Sequence, residues 1–404
     1  MKIIKKNAFI IAEYNPFHNG HQYHIEQTRE CGAENIICIM NGNFVQRGEP
    51  ALFSKSFRAA SAIRNGADLV IELPLKYGVS SANYFAFGGV SAAVDTGLDG
   101  TLSFGASACR DDLSKLAEIS VAPDFVQQVK VLSESSGKSF PSAMQKLLHE
   151  KYSTLEYVTE DANNILALEY LKAARSLHAE MDWEPIQRAL QCGHDSEIPI
   201  DTFASAKYLR QLLIEGEISA AAKYLPENVL SAVRKEIENG ASTENRQLFS
   251  RICMATLMNM KTADFQKING VSQGIENRIE ESVKQASTLS YLYDSVKTKR
   301  FTHARIRQVI LSAVLGVTRD DLYSGTNYIR VLAFNDKGQA LLKTMRKTAC
   351  VPIISNISEI SDSFSSAAKR DKELDVKAGK LFELCKSRPS DINAEFHVKP
   401  VIYT

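Results

Sequence analysis

Short apolar runs recur along the first hundred residues, at Ala8–Ala12, Asn35–Met40, Ala67–Leu73 and Thr101–Phe104. Each is bounded by turn-forming or polar residues and is too short for a helix, so each predicts a buried strand. Between them lie segments of helical length, among them Ser54–Gly66 and Ser80–Gly97. Strands that alternate with helices predict right-handed crossovers and a parallel sheet. The expected fold class is therefore α/β, a Rossmann-like parallel sheet without the Gly-x-Gly-x-x-Gly fingerprint, with ligands at the carboxyl ends of the strands.

Further along, residues 111–152 read as helical, interrupted at Gly137 and Pro141, and suggest an insertion or cap over the sheet. Asp161–Leu171 predicts a helix with an apolar face at Ile165, Leu166, Leu168 and Leu171. Asn163 and Asn164 stand where an N-cap belongs, which leaves one to cap and the other to meet a ligand. Glu184–Leu190 suggests another strand, carrying Arg188 and leading to His194 and Asp195. In Phe203–Leu213, Ser205 can cap a helix on which Lys207 and Arg210 share one face at i, i+3 and can meet one anion. From about Leu225 helical patterns dominate, as at Leu248–Met260 and His303–Leu315, and the tail Lys399–Thr404 suits an extended segment. The expected division is a catalytic domain over 1–224 followed by a helical domain over 225–404.

Composition narrows the class without naming a function. With 404 residues, 44% hydrophobic and 24% charged, the chain suits an ordinary globular protein of two or three domains. It holds no run of about 18 apolar residues and no small-residue cleavage site near its basic start, so neither a membrane span nor a signal peptide is expected. Its seven cysteines are scattered and never spaced Cys-x-x-Cys. Reduced thiols in the cytoplasm and no metal site are the expectation. A net charge of +1 means that any nucleic-acid contact must come from a local patch. One candidate is the stretch holding Lys284, Lys297, Lys299, Arg300, Arg305 and Arg307 against the single acid Asp294, with Tyr291, Tyr293, Phe301 and His303 interleaved. Such a stretch reads either as an RNA-contacting surface or as a solvated helical linker.

The chemistry concentrates in Ile10–His24, where the first apolar run meets a turn carrying Asn15-Pro16, His18, Gly20 and His21, and then a segment without helix breakers. A helix N-terminus after a strand offers unpaired N–H groups and the positive end of the dipole to a phosphate. His18 and His21 can donate to phosphate oxygens as charge builds up on them. Gly20 and Gly105, lacking Cβ atoms, permit close backbone approach. Arg47, Lys55, Arg58 and Arg64 follow, either as an anion-collecting wall or as ordinary surface charge.

His18-Asn19-Gly20-His21 resembles the His-x-Gly-His signature of the nucleotidyltransferase superfamily. The wider string Glu13–His21 resembles the bacterial tRNA(Met) cytidine acetate ligase family. So do Gln46–Pro50, Gly66–Pro74, the Asn163–Leu166 motif and the Ser205–Arg210 segment, in which Leu209 replaces the usual isoleucine. The resemblance implies catalytic roles for His18 and His21. It implies ATP contacts from Ile11, Ala12, Glu13, Tyr14, Asn15, Pro16, Phe17, His18, Asn19, Gly20, His21, Gly105, Asn164, Arg188, Ser205, Lys207 and Arg210. The implied reaction activates acetate with ATP, its Mg2+ carried by the phosphates, and acetylates N4 of the wobble cytidine of elongator tRNA(Met). The tRNA contacts are assigned to Lys297, Lys299, Arg300, Arg305 and Arg307. Ala106-Ser107 and Ala189–Cys192 depart from the family pattern. Two other readings remain open: a small-molecule nucleotidyltransferase acting on a phosphate-bearing cofactor precursor, and a non-catalytic RNA-binding protein that senses ATP.

Overall fold

The structure is a computed structural model that describes residues 5–137, 140–187 and 199–404. Four of its strands are the apolar runs seen in the sequence: β1 (Asn7–Ala12), β2 (Asn35–Asn41), β5 (Leu69–Leu73) and β6 (Thr101–Ala106). Between β2 and β5 a short hairpin is formed by β3 (Phe44–Val45) and β4 (Glu49–Pro50). β7 (Asp182–Gln187), β8 (Ile329–Phe334), β9 (Ile353–Ile354) and β10 (Val401–Ile402) complete the strands. The main sheet runs β10-β8-β5-β2-β1-β6-β7, with β9 paired to β8. Every pairing in it is parallel except that of β8 with β5. Ile36 to Asn41 are all buried, as expected of a central parallel strand covered on both faces.

Chain order explains where a ligand can enter. From β1 the chain builds outward through β2 and β5, then returns to the other side of β1 with β6 and β7. The reversal leaves a crevice at the carboxyl ends of β1 and β6, the usual ligand position of an open α/β sheet. The helices of this part of the chain are α1 (Asn19–Glu30), α2 (Lys55–Arg64), α3 (Leu75–Gly78) and α4 (Ala82–Asp95). The expected insertion is α5 (Arg110–Val121), α6 (Pro123–Ser136) and α7 (Phe140–Lys151), and α8 (Ala162–Ser176) and α9 (Ala206–Ile214) follow.

The second half of the chain is mainly helical, and the apolar core in which Leu257, Phe265, Ile279, Leu292 and Ile310 are buried also takes in Phe44, Leu75 and Val79 from the first half. It also supplies β8 and β10 to the sheet, so position 224 is not an edge of the sheet. The sequence hides β8 because Arg330 interrupts its apolar run. Burying that guanidinium requires partners, and they come from distant segments. Arg330 pairs with Glu395, as does Lys55, whose Nζ also lies 2.8 Å from Glu72 Oε1. Arg58 is likewise buried and donates to the carbonyls of Phe53, Glu13, Asn41 and Gly42. Lys55 and Arg58 therefore tie the sheet to its helices and form no anion-collecting wall. Among the described residues no helix is long and apolar enough to cross a membrane.

Candidate active site

The turn after β1 is fixed from several sides. Tyr14 sits at φ 49°, a conformation that non-glycine residues rarely adopt. Its side chain is buried, with the hydroxyl 3.2 Å from Cys38 Sγ. Asn15 accepts from the Leu52 N–H at 2.8 Å through Oδ1, and its carbonyl accepts from Arg210 Nη1 at 2.9 Å. Phe17 is fully buried in the core on that side of the sheet.

The two histidines cap α1 reciprocally. His18, the N-cap, accepts from the Gly20 N–H at 3.0 Å through Nδ1. His21 Nδ1 accepts from the His18 N–H at 3.2 Å. This is a capping box built from imidazoles. An accepting Nδ1 puts the proton of the neutral ring on Nε2, so each ring presents an N–H donor away from the helix end. A Cβ at residue 20 would lie 3.0 Å from His18 Cε1, so the glycine makes room for the His18 ring. That is a reason different from the ligand approach expected of it.

Around this turn lies a cleft of about 550 Å³. Ile11, Ala12, Glu13, Tyr14, Asn15, His18, Gly20, His21, Gly105 and Ser205 all line it. Ser205 also caps α9, accepting from the Tyr208 N–H. Several expected residues stand elsewhere. Pro16 and Phe17 are buried beneath the turn, and Asn19 Nδ2 donates to the carbonyls of Thr202 and Lys223. Lys207 and Arg210 differ in their surroundings: Lys207 is exposed, while Arg210 turns inward to Asn15 and lies 3.5 Å from Glu49. Burial lowers the Arg210 pKa. Arg188, His194 and Asp195 lie outside the described residues.

The asparagine pair resolves in an unexpected way. Asp161, not an asparagine, caps α8. Asn164 is fully buried, and its Oδ1 accepts from the N–H groups of Ser107 and Ala108 at 2.9 and 3.1 Å. It shapes the loop that follows β6, while Asn163 lines the cleft.

Other wall residues carried weaker sequence signals. His24, one helical turn after His21, lines the cleft and places Nε2 2.9 Å from Ser103 Oγ. Tyr170 lines it too, its phenol pKa raised by burial and then by the Glu13 charge. Arg47, the one member of the proposed basic wall to reach the cleft, stands beside Gln46, whose N–H donates to Glu13 Oε1 at 2.9 Å. The last wall comes from the second half of the chain: Ala304, Arg307 and Gln308, at i, i+3 and i+4 on the helix His303–Leu315.

That helix connects the cleft to the basic patch. Lys297, Lys299 and Arg300 are exposed just before it, and Tyr291 is 52% exposed. Arg305 lies over the Phe301 ring and donates to Ser272 Oγ at 2.6 Å, so it is partly engaged by the protein itself. Arg307 lies 5.4 Å from the Tyr293 ring centroid while lining the cleft.

Comparison with known proteins agrees with this architecture. The family model described as HIGH Nucleotidyl Transferase matches residues 5–395. The tRNA(Met) cytidine acetate ligase of Acetivibrio thermocellus is 32% identical over 406 residues, covering 94% of this chain and 95% of that one. Its counterpart in Clostridium perfringens is 33% identical, with 98% of each chain covered. The chain belongs to the tRNA(Met) cytidine acetate ligase family. The crystal structure of Thermotoga maritima TmcAL, a similar protein at 31% identity, superposes with a TM-score of 0.91 over 98% of this chain and 99% of that one. A second crystal form of TmcAL, bound with alpha-thio ATP, superposes with a TM-score of 0.88. Family membership thus extends across both halves of the chain, β8 included.

Proposed function

We infer that this chain activates acetate with ATP and transfers the acetyl group to N4 of the wobble cytidine of elongator tRNA(Met). One observation carries the reading. The cleft that holds the His18–His21 turn at the head of α1 is closed on another side by the helix that follows the basic patch. A nucleotide at the sheet and an RNA on the patch would meet at that cleft.

An acetate oxygen attacks the α-phosphorus of ATP, and the bond to pyrophosphate breaks to give acetyl-adenylate. His18 and His21 donate from Nε2 to the phosphate oxygens as charge builds up on them. The backbone N–H groups at the head of α1 add the field of the helix terminus. Gly105, Asn163 and Ser205 line the rest of the nucleotide site, and magnesium accompanies the phosphates as part of the substrate. The cytidine amine then attacks the acetyl carbon, loses a proton and releases AMP. Its lone pair is delocalised into the ring, so prior activation of the carboxylate as a mixed anhydride suits the acceptor. Positioning both substrates in one cleft lowers the barrier further. Lys297, Lys299 and Arg300 bind the RNA backbone electrostatically, with Arg305 at the cleft end of the patch; Arg307, expected to join them, lines the cleft itself.

Exchange of labelled pyrophosphate into ATP that requires acetate tests the first step, and N4-acetylcytidine in tRNA(Met) tests the second. Exchange with no need for acetate, or a product formed on a small phosphate-bearing acceptor, would favour a small-molecule nucleotidyltransferase instead. The cleft wall supplied by the patch-bearing helix argues against that alternative.

A further inference from the structure

We propose that Arg47 and Arg307 form the carboxylate-binding site, with Ala82, Phe85 and Ala304 packed around the methyl group of acetate. This inference rests on the function proposed above and locates its second substrate. All five residues line the cleft.

Their corner is built by unusually close packing between distant segments. Gly48, at φ +79°, is so near the helix His303–Leu315 that a Cβ there would lie 2.6 Å from the Arg307 carbonyl carbon. Arg47 and Arg307 therefore flank one backbone contact. Gln308, next to Arg307, donates through Nε2 to the Gln46 carbonyl at 3.0 Å and the Ser80 carbonyl at 3.3 Å. The second bond brings the start of α4, with Ala82 and Phe85, beside the arginines. The corner thus brings two basic residues of the cleft wall, Arg47 and Arg307 (whose guanidinium lies 5.4 Å from the Tyr293 ring centroid), next to a small apolar surface.

Acetate has those two ends. Its carboxylate matches the planar fork of a guanidinium, and its approach to the anionic phosphates of ATP needs positive charge nearby. A pyrophosphate tail has no apolar end to place against Ala82, Phe85 and Ala304. The second half-reaction gives an independent reason. The cytidine amine must reach the acetyl carbon from the RNA side, and Arg307 stands on the helix that leads from the basic patch into the cleft. A carboxylate held there faces the incoming base.

The test measures acetate- and formate-dependent pyrophosphate exchange in R47Q, R307Q and A304L, with ATP affinity and tRNA affinity measured on the same proteins. In R47Q and R307Q the acetate KM should rise roughly ten- to a hundredfold, the effect of losing a charged hydrogen bond. ATP affinity should change less than about twofold, since these side chains would not hold the phosphates. A304L narrows the methyl pocket and should raise the KM for acetate more than that for formate. An equal loss of ATP affinity in the arginine variants would place the triphosphate there and overturn the proposal. Loss of tRNA affinity with unchanged exchange would give Arg307 to the RNA surface and also overturn it. If the unaltered protein shows no acetate-dependent exchange even with tRNA present, the underlying function fails, and this site with it.

Discussion

The imidazole rings of His18 and His21 stack with their centroids 3.7 Å apart and 25° between their planes. Tyr14 meets the outer ring edge-on, its centroid 4.9 Å from that of His21. The pair is thus held rigid by stacking and by the two Nδ1 caps before any ligand arrives. Rigid donors need no reorganisation when charge appears on a phosphate.

Replacing His21 with Ala should slow acetate-dependent pyrophosphate exchange by roughly a hundred- to a thousandfold, the usual loss for one preorganised donor. The lost cap should lower stability by only about 1 kcal/mol. Because the RNA is held by the charges of the basic patch, which the His21→Ala change leaves intact, a gel shift with tRNA(Met) should change little. Exchange at the normal rate in this variant would remove His21 from the chemistry.

The neighbouring asparagines should separate cleanly. Asn164→Ala leaves the N–H groups of Ser107 and Ala108 without their acceptor, which should cost about 1–3 kcal/mol for each group that stays dry. Asn163→Ala removes a cleft residue and should weaken ATP binding while leaving the melting temperature within about 2 °C. Thermal melts and ATP titrations on both variants check the division. The opposite pattern would show that Asn164, not Asn163, meets the nucleotide.

Gly48→Ala is expected to damage both stability and turnover. The positive φ alone costs of order 1–3 kcal/mol in a residue with a Cβ. The new methyl would also press on the Arg307 backbone, which belongs to a helix and cannot give way locally. Denaturant unfolding should show the loss. A larger acetate KM at temperatures where the variant is folded should show the displaced cleft wall.

The sequence exposes the sheet wherever its strands are continuously apolar. Ile36–Met40 needs no tertiary information to be read as a buried strand, and the His18–His21 turn follows from its place after β1. By contrast, β8 is legible only once Lys55, Glu72 and Glu395 are known to surround Arg330. The roles of Lys55 and Arg58 fail for the same reason, since spacing along a helix does not reveal which face is buried. Arg307 shows a different limit. Composition groups it with the basic patch, but its position in the cleft depends on the contact with Gly48, which no local pattern encodes. Asn163 and Asn164 are separated by the single rotation between adjacent helical positions, and the cap that decides between them is Asp161.

The buried charges around β8 make stability depend on pH. The Asp375 carboxyl is pushed up to about 7, first by burial and then by the nearby charge of Glu72. Tyr328 Oη donates to it at 2.6 Å. With its folded pKa raised, the native state binds a proton that the unfolded chain has already released above about pH 4. Stability from this group is therefore greatest at low pH and declines as pH rises from about 4 to about 7. The Asp375→Asn side chain still accepts from Tyr328 but carries no charge at any pH. Relative to the unaltered protein, the variant should gain stability steadily across that interval and level off above it. Paired urea unfolding curves at pH 5 and pH 8 measure the difference. A gap that stays constant between the two pH values would mean that Asp375 remains ionised in the folded protein, with Lys55 and Arg330 outweighing its burial.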